Sequence, residues 1–299
     1  MTAHLTRIKS RLSIHAHRKV RGLLEGEYAA IHVGRGIDFS DLREYVRGDD
    51  VKDIDWKASA RTRQVLIKRY VAERKHTVLL CVSTGRSMAA LNDVAATAVS
   101  KRELAVFVSG VMGYLATQHG DLVGLVHGNA AEQHSRPAEG TELHLERLLG
   151  TIYDAIRPDG PPGDLAALLR YVARTVRRRT ILVVVSDETT LSMEATDLLR
   201  RLTVQHEVLF LTIGDLDPTR SRLADRRLVD VDTAAEVPGW LRHDRQLGRE
   251  LAALVTDEEQ QLRRRLDHLS VVHERVRDTA SAVTAVYRLL ERHRHARRR

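Results

Sequence analysis

The sequence predicts an α/β protein built on a doubly wound, mostly parallel sheet. Through its middle, short β-branched runs alternate with longer amphipathic segments, the pattern of strands joined by helices. One run, Ile181 to Val185, is uniformly apolar and too short for a helix, which marks a central strand covered on both faces. With 299 residues, 43% apolar and 29% charged, the chain can bury a substantial core and lacks a disordered composition.

In chain order, Thr77 to Val82 is the first strand, Lys101 to Gln118 a helix, and Asp121 to His127 a second strand, with Gly120-Asp121 making the turn. Glu132 to Arg136 reads as a short edge strand, and Glu142 to Ile156 as a helix with Leu143, Leu145, Leu148, Leu149 and Ile152 on its apolar side. The run Arg157-Pro158-Asp159-Gly160-Pro161-Pro162-Gly163 is the strongest breaker in the chain. Helices are then expected over Leu165 to Val176 and Ser192 to Val204, the latter capped by Ser192, and a strand over Glu207 to Ile213. Right-handed crossovers put the loops after Val82 and after Val185 on one rim, where open α/β sheets bind ligands.

Beyond Gly248 there is neither Gly nor Pro, and Leu262, Leu266, Leu269, Val276, Ala280, Val283, Tyr287 and Leu290 recur at spacings of about 3.5 residues. Only His273 interrupts this seam. It predicts a long C-terminal helix that packs on the body of the protein, associates with a second copy, or meets a partner helix. The N-terminal segment, with Leu5, Ile8, Leu12 and Ala16 on one side, could supply such a helix from the same chain.

No run approaches the roughly 20 apolar residues of a membrane span. Arg7, Lys9, Arg11, Arg18, Lys19 and Arg21 break up any secretory signal, so a cytoplasmic protein is expected. The single cysteine, Cys81, excludes an internal disulfide and reads as a buried small residue. Net charge is +8, concentrated at the ends: the first 24 residues carry six Lys/Arg and no acid, and Arg288 to Arg299 carries six arginines against Glu291. Such ends suit nucleic acid, anionic lipid or an acidic protein equally well. The absence of aromatics among the terminal arginines disfavours a single-strand binder.

Residues 34–61 are dense in groups that need partners. Asp38, Asp41, Asp49, Asp50, Asp53 and Asp55 lie among Arg35, Arg43, Arg47, Lys52, Lys57 and Arg61, so Arg-carboxylate pairs are expected to hold this segment, with Trp56 as a packing anchor. The acids do not follow calcium-loop spacing, Gly34-x-Gly36 lacks a third glycine, and no Walker A sequence occurs. In order and spacing, Gly34, Gly36, Asp38, Phe39, Asp41, Leu42, Arg43, Tyr45, Gly48, Asp49, Asp50, Asp55, Trp56 and Arg61 resemble the signature of the bacterial family called domain of unknown function 58. The resemblance implies a von Willebrand factor A-like domain over about 76–235, preceded by a basic helix and signature segment over 1–75 and followed by a helical extension over 236–299.

Domains of that type normally end their first strand in Asp-x-Ser-x-Ser, add a threonine from a later loop, and place an aspartate after the central strand, giving magnesium the oxygen ligands it requires. The corresponding residues here are Ser83-Thr84-Gly85-Arg86-Ser87, with Asp187 after the central strand and Asp164 as the nearest donor in the later loop. A carboxylate and a hydroxyl are lost. The expectation is therefore a degenerate site that holds no cofactor, with Ser87 and Asp187 as weak magnesium ligands at most and an Arg86–Asp187 ion pair in place of the metal. No nucleophile elbow, His-Glu-x-x-His or paired-cysteine pattern is present, which points away from an enzyme. The resemblance implies instead an adaptor for a MoxR-type AAA+ ATPase. Nucleic-acid or anionic-surface binding through the basic ends, and self-association, are the alternatives.

Overall fold

The computed structural model describes residues 4–15, 24, 28, 39–46, 49, 51, 54–62, 64–70, 75–93, 99–187, 191–216, 227–238 and 244–296. Its first strands, β1 (Phe39–Glu44) and β2 (Leu66–Tyr70), form a separate antiparallel pair. Then come β3 (Thr77–Ser83), the short antiparallel pair β4 (Leu91–Asp93) and β5 (Val99–Ser100), β6 (Leu122–Gly128), β7 (Gln133–Glu139), β8 (Ile181–Ser186), β9 (Glu207–Ile213) and β10 (Val272–Val276). The central sheet has the order β7-β6-β3-β8-β9-β10, parallel throughout except for the edge strand β7. Numbered by their own succession, these strands lie 3-2-1-4-5-6. This is the doubly wound order, and the chain has a von Willebrand factor A-like α/β fold.

Helices cover both faces because every central strand is apolar on both. Val78, Leu80 and Val82 of β3 face one core, and Leu79 and Cys81 face the other. On the first face lie α1 (His4–His15), α3 (Lys101–Gln118), α4 (Glu142–Ala155) and α8 (Thr279–Ala296). On the second lie α5 (Leu165–Thr175), α6 (Met193–Gln205) and the distal part of α7 (Arg245–His268). The remaining α-helix among the described residues, α2 (Trp56–Thr62), follows the first strand. Cys81 is fully enclosed, and burial pushes its thiol up to about 12.

Local chemistry sets the helix ends. Ser100 and Glu103 form a reciprocal capping box at the start of α3, and Gly120, at φ +78°, makes the turn into β6. Thr141, Asp164 and Ser192 cap α4, α5 and α6. The start of α1 is capped from a distance, since Glu146 accepts hydrogen bonds from the backbone N–H of His4 and Leu5 at 2.7 and 2.6 Å. Leu5, Ile8 and Leu12 are buried on α3 and α4. A Cβ at Gly110 would lie 2.1 Å from Ile8 Cδ1, so the tip of Ile8 packs directly over that glycine. The N-terminal helix thus joins the first face rather than the C-terminal seam.

The C-terminus departs from a continuous helix. After His268 the N–H of Leu269 turns back to Leu266, Ser270 takes a left-handed φ of 57°, and β10 pairs with β9. Helices flank it as expected, but the strand places residues 272–276 in the sheet, so the α/β domain runs past the boundary expected at 235. The reason is burial: Val271, Val272 and Val276 are enclosed by extending the sheet. The heptad residues accordingly divide. Leu262 and Leu266 pack in the second core, while Val276, Val283 and Leu290 pack in the first.

His273 of β10 is buried, with Nε2 2.8 Å from the Thr212 hydroxyl. Burial, reinforced by Arg292, Arg263 and Arg275, brings its pKa down to about 4. His127 in β6 is likewise lowered to about 4 by burial and then by His134 and Arg136. Both fall below the unfolded value of about 6.5. Their contribution to stability is therefore complete above about pH 6.5 and is lost as pH falls toward 4, at roughly 1.4 kcal/mol per pH unit for each group. Replacing His273→Gln is expected to flatten the decline of Tm between pH 7 and 4.5; an unchanged slope contradicts this assignment.

Candidate functional site

The strand order reverses between β3 and β8, so the crevice beyond their carboxyl ends is the natural binding position. From β3 the chain enters Ser83 to Ser87, from β8 it reaches Asp187, and from β9 it reaches Gly214 and Asp215. The first of these loops is locked in place. Thr84 N–H donates to Gly128 O at 2.8 Å and Arg86 N–H to Pro161 O at 2.8 Å. A Cβ on Gly85 would sit 2.3 Å from the backbone nitrogen of Gly163. The Pro/Gly loop therefore lies directly on Gly85, and a serine hydroxyl there has no room.

At the centre of the crevice is Lys101, the first residue of α3, 2% exposed. Its backbone N–H donates to Ala90 O at 2.8 Å, and its ammonium donates to Asp187 Oδ2 at 2.7 Å and also to Asp215 Oδ1. Burial by itself would lower the lysine's pKa, but the two carboxylates outweigh it and hold the pKa above its ordinary value. The ammonium stays charged. A cation supplied by the chain thus sits against the one aspartate retained from the metal-binding pattern.

The loop 227–238 adds a further wall. Asp230 Oδ1 accepts hydrogen bonds from the backbone N–H of Asp232 and Thr233 at 3.1 and 2.7 Å and from the Thr233 hydroxyl at 2.7 Å. These bonds, the threonine hydroxyl's first, hold the Asp230 carboxyl below its usual pKa, and they turn the loop so that Asp232 faces the rim. Between this wall and the strand ends lies a cavity of about 830 Å³ bordered by Ser87, Leu91, Lys101, Asp187, Asp215 and Asp232. A smaller one of about 460 Å³ adjoins it between Arg86, Ser87, Pro162, Gly163, Asp187 and Asp232.

The residues expected at this rim do meet in part. Ser87 and Asp187 border both cavities. The Arg86–Asp187 pair does not form: Asp187 is taken by Lys101, and Arg86 Nε lies 3.9 Å from Asp232. Asp164 is committed to capping α5, accepting from Ala167 N–H at 2.8 Å. Ser83, in place of the missing aspartate, is buried and its hydroxyl has no hydrogen-bond partner among the described residues. These residues do not fit a divalent cation. The positive charge is already present as Lys101, one hydroxyl position is filled by backbone, and among the described residues no three His, Cys, Asp or Glu side chains gather to hold a metal. Lys101, Asp215 and Asp232 were not legible as site residues. The one available signal was the Ser100–Glu103 capping box, which starts a helix at the rim.

In the signature segment, Gly34, Gly36, Asp38, Gly48 and Asp50 lie outside the described residues, and Phe39 and Asp41 are placed only as positions in β1. Arg43 and Asp49 form the expected bidentate pair, at 2.7 and 2.6 Å, and the guanidinium holds the Asp49 carboxyl below its usual pKa. Asp55 caps α2 through the N–H groups of Lys57 and Ala58, while Leu42 and Tyr45 are half-buried and Arg61 is exposed. Trp56, expected as a packing anchor, is instead 66% exposed. The Asp55 cap turns it outward as the first residue of a helix with no buried residue.

A family model described as "Protein of unknown function DUF58" matches residues 41–261. Uncharacterized proteins of Mycobacterium bovis and Mycobacterium tuberculosis are 30% identical over 215 residues, covering 72% of this chain. The chain spans 66% of the length of these relatives. Among solved structures, BatB of Bacteroides thetaiotaomicron is similar at 14% identity and a TM-score of 0.44, over 73% of this chain and 98% of that one. A von Willebrand factor type A protein of Catenulispora acidiphila is similar at 11% identity and a TM-score of 0.41, over 75% and 44%. An aerotolerance-related membrane protein of Bacteroides fragilis is similar at 16% and 0.43, over 73% and 99%. Among the described residues of the present chain, no helix is long and apolar enough to cross a membrane.

Removing the lysine leaves two carboxylates facing each other with no cation. Lys101→Met is expected to lower unfolding free energy by about 3–5 kcal/mol, the usual cost of breaking a buried ion pair on one side. Denaturant titration measures this, and a loss under about 1 kcal/mol would show that the triad does not hold the rim together.

Proposed function

The chain belongs to the DUF58 family, and on that premise we propose that it is a non-enzymatic protein-interaction module whose carboxyl-edge crevice docks a protein partner without a bridging metal. The observation that carries this reading is Lys101, buried between Asp187 and Asp215 where a metal-dependent relative would hold its ion. In a metal-bridged contact the partner completes the ion's coordination. Here the cation is permanent and already satisfied by two carboxylates of its own chain. Recognition then rests on the shape of the cavity and on the groups at its edge, namely Arg86, Ser87, Asp215 and Asp232.

The same proposal includes a cytoplasmic setting, no resident cofactor, and a MoxR-type AAA+ ATPase as the companion with which the chain assembles or remodels other proteins. What supports it is family membership together with a rim that is built, preorganised and, among the described residues, without a nucleophile–base pair in its lining. Self-association through the C-terminal helices is the second reading. Leu262, Leu266, Val283 and Leu290 are already enclosed within the chain, which leaves less of the seam for a second copy.

Cross-linking in the native cell followed by affinity purification and mass spectrometry tests the proposal. The expected result is an AAA+ ATPase cross-linked within residues 84–91 or 227–238, in an assembly that EDTA leaves intact and that Asp232→Arg weakens at least tenfold. Dissociation by EDTA, or cross-links that avoid the rim, contradicts it.

A further inference from the structure

The rim opposite the crevice, at the amino ends of the strands, has a different chemistry. There α5 ends at Val176 and the chain passes through Arg177, Arg178 and Arg179 into β8, while α6 ends at His206 and enters β9. The two turns are stapled together. Gln205 Nε2 donates to Val176 O at 3.2 Å and also to Arg177 O, and Glu207 N–H donates to Thr180 O at 3.0 Å. Gln205 therefore faces the Arg177 turn, and Arg201, four residues earlier, lies on the same side of α6.

Charge is distributed unevenly along this helix pair. At its upper end Arg170 is paired with Glu194. Lower down, Arg200 pairs with Asp197 and Arg179 with Glu207. Arg174, Arg177, Arg178 and Arg201 are all exposed, and among the described residues none of the four has a carboxylate within ion-pair reach. Arg174, in the last turn of α5, offsets the helix dipole, but Arg177 and Arg178 lie beyond the helix and gain nothing from that arrangement. Adjacent helices lie about 8–10 Å apart, so the four guanidinium groups are spread over roughly 10–20 Å on a framework held by hydrogen bonds.

We infer that this rim binds the phosphodiester backbone of double-stranded nucleic acid. Guanidinium forks match phosphate oxygens bidentately, and nucleic-acid interfaces are more polar and more positively charged than protein–protein ones. Among the described residues the only large apolar side chain exposed at the end of α6 is Val204, so these residues form neither the apolar centre of a protein interface nor the apolar face that inserts into lipid. Among the described residues no aromatic side chain is exposed there, so no base stacks on the patch and contact is assigned to the backbone. The site is separate from the crevice and does not rest on the function proposed above; the C-terminal basic run adjoins it, since His293 lies 3.4 Å from Glu207, the partner of Arg179.

Anisotropy of the full chain with a labelled 20-base-pair duplex of mixed sequence tests this. Binding is expected at 50 mM salt and is expected to weaken roughly tenfold or more by 200 mM, as release of counterions from about three phosphates requires. The combined variant Arg177→Gln, Arg178→Gln, Arg201→Gln should lose at least tenfold in affinity at 50 mM and show a shallower salt slope, with its thermal transition unchanged. If that variant unfolds, the single loop variant Arg178→Glu gives the same comparison. Absence of binding at 50 mM, an affinity unaltered by the substitutions, or stronger retention on phosphatidylglycerol vesicles than on the duplex overturns the inference.

Discussion

The contact on which the carboxyl-edge rim depends is the buried ammonium of Lys101 between Asp187 and Asp215. Three elements meet there: the start of α3, the end of β8 and the end of β9. The backbone of the same lysine also ties in the turn at Ala90 that follows the loop leaving β3. A buried charge is costly unless it is paired and hydrogen-bonded. This one is paired twice, and its aliphatic stem is enclosed as well. The doubly wound order makes the juxtaposition possible, because only where the strand order reverses do the loops after β3 and β8 part and leave a gap for the first turn of a helix.

Once Lys101 fills that gap, the departures of the neighbouring loop from a metal-binding pattern fit together. An aspartate at Ser83 would add a third carboxylate to a site holding a single positive charge. A serine at Gly85 would collide with Gly163. Arg86 is displaced toward Asp232, on a loop that a metal-bridged contact would not require. On the function proposed above, the absent ligands and the buried lysine are two aspects of one arrangement. The outcome is a rim with a fixed internal cation.

Much of the fold was legible because its strands are short, β-branched and separated by strong breakers. Lys101 to Gln118 and Glu207 to Ile213 have the bounds that their patterns predict, and Ser192 caps α6 as expected. β10 was not legible. Val272 to Val276 contains His273, Glu274 and Arg275, so it lacks the uniform apolarity of β8, and Val276 falls at a spacing that continues the heptad of Leu262, Leu266 and Leu269. The break before it is made by Ser270 in a left-handed conformation, where glycine would have been the usual signal. The site was legible only in position. Ser87 and Asp187 could be placed on one rim from strand order, but a lysine opening a helix carries no local mark of burial. Its two acceptors lie 86 and 114 residues away. Trp56 shows the converse limit, since size and hydrophobicity favour burial and a helix cap directs it outward.

The most direct test of this account is a titration of the purified chain with manganese, followed by electron paramagnetic resonance, with Lys101→Ala as the comparison. The wild-type protein is predicted to show no protein-bound signal up to millimolar manganese, while the variant, freed of its internal cation, is predicted to bind the ion through Asp187 and Asp215. Bound manganese in the wild-type protein, lost on Ser87→Ala or Asp187→Asn, would contradict the claim that the lysine has taken the metal's place.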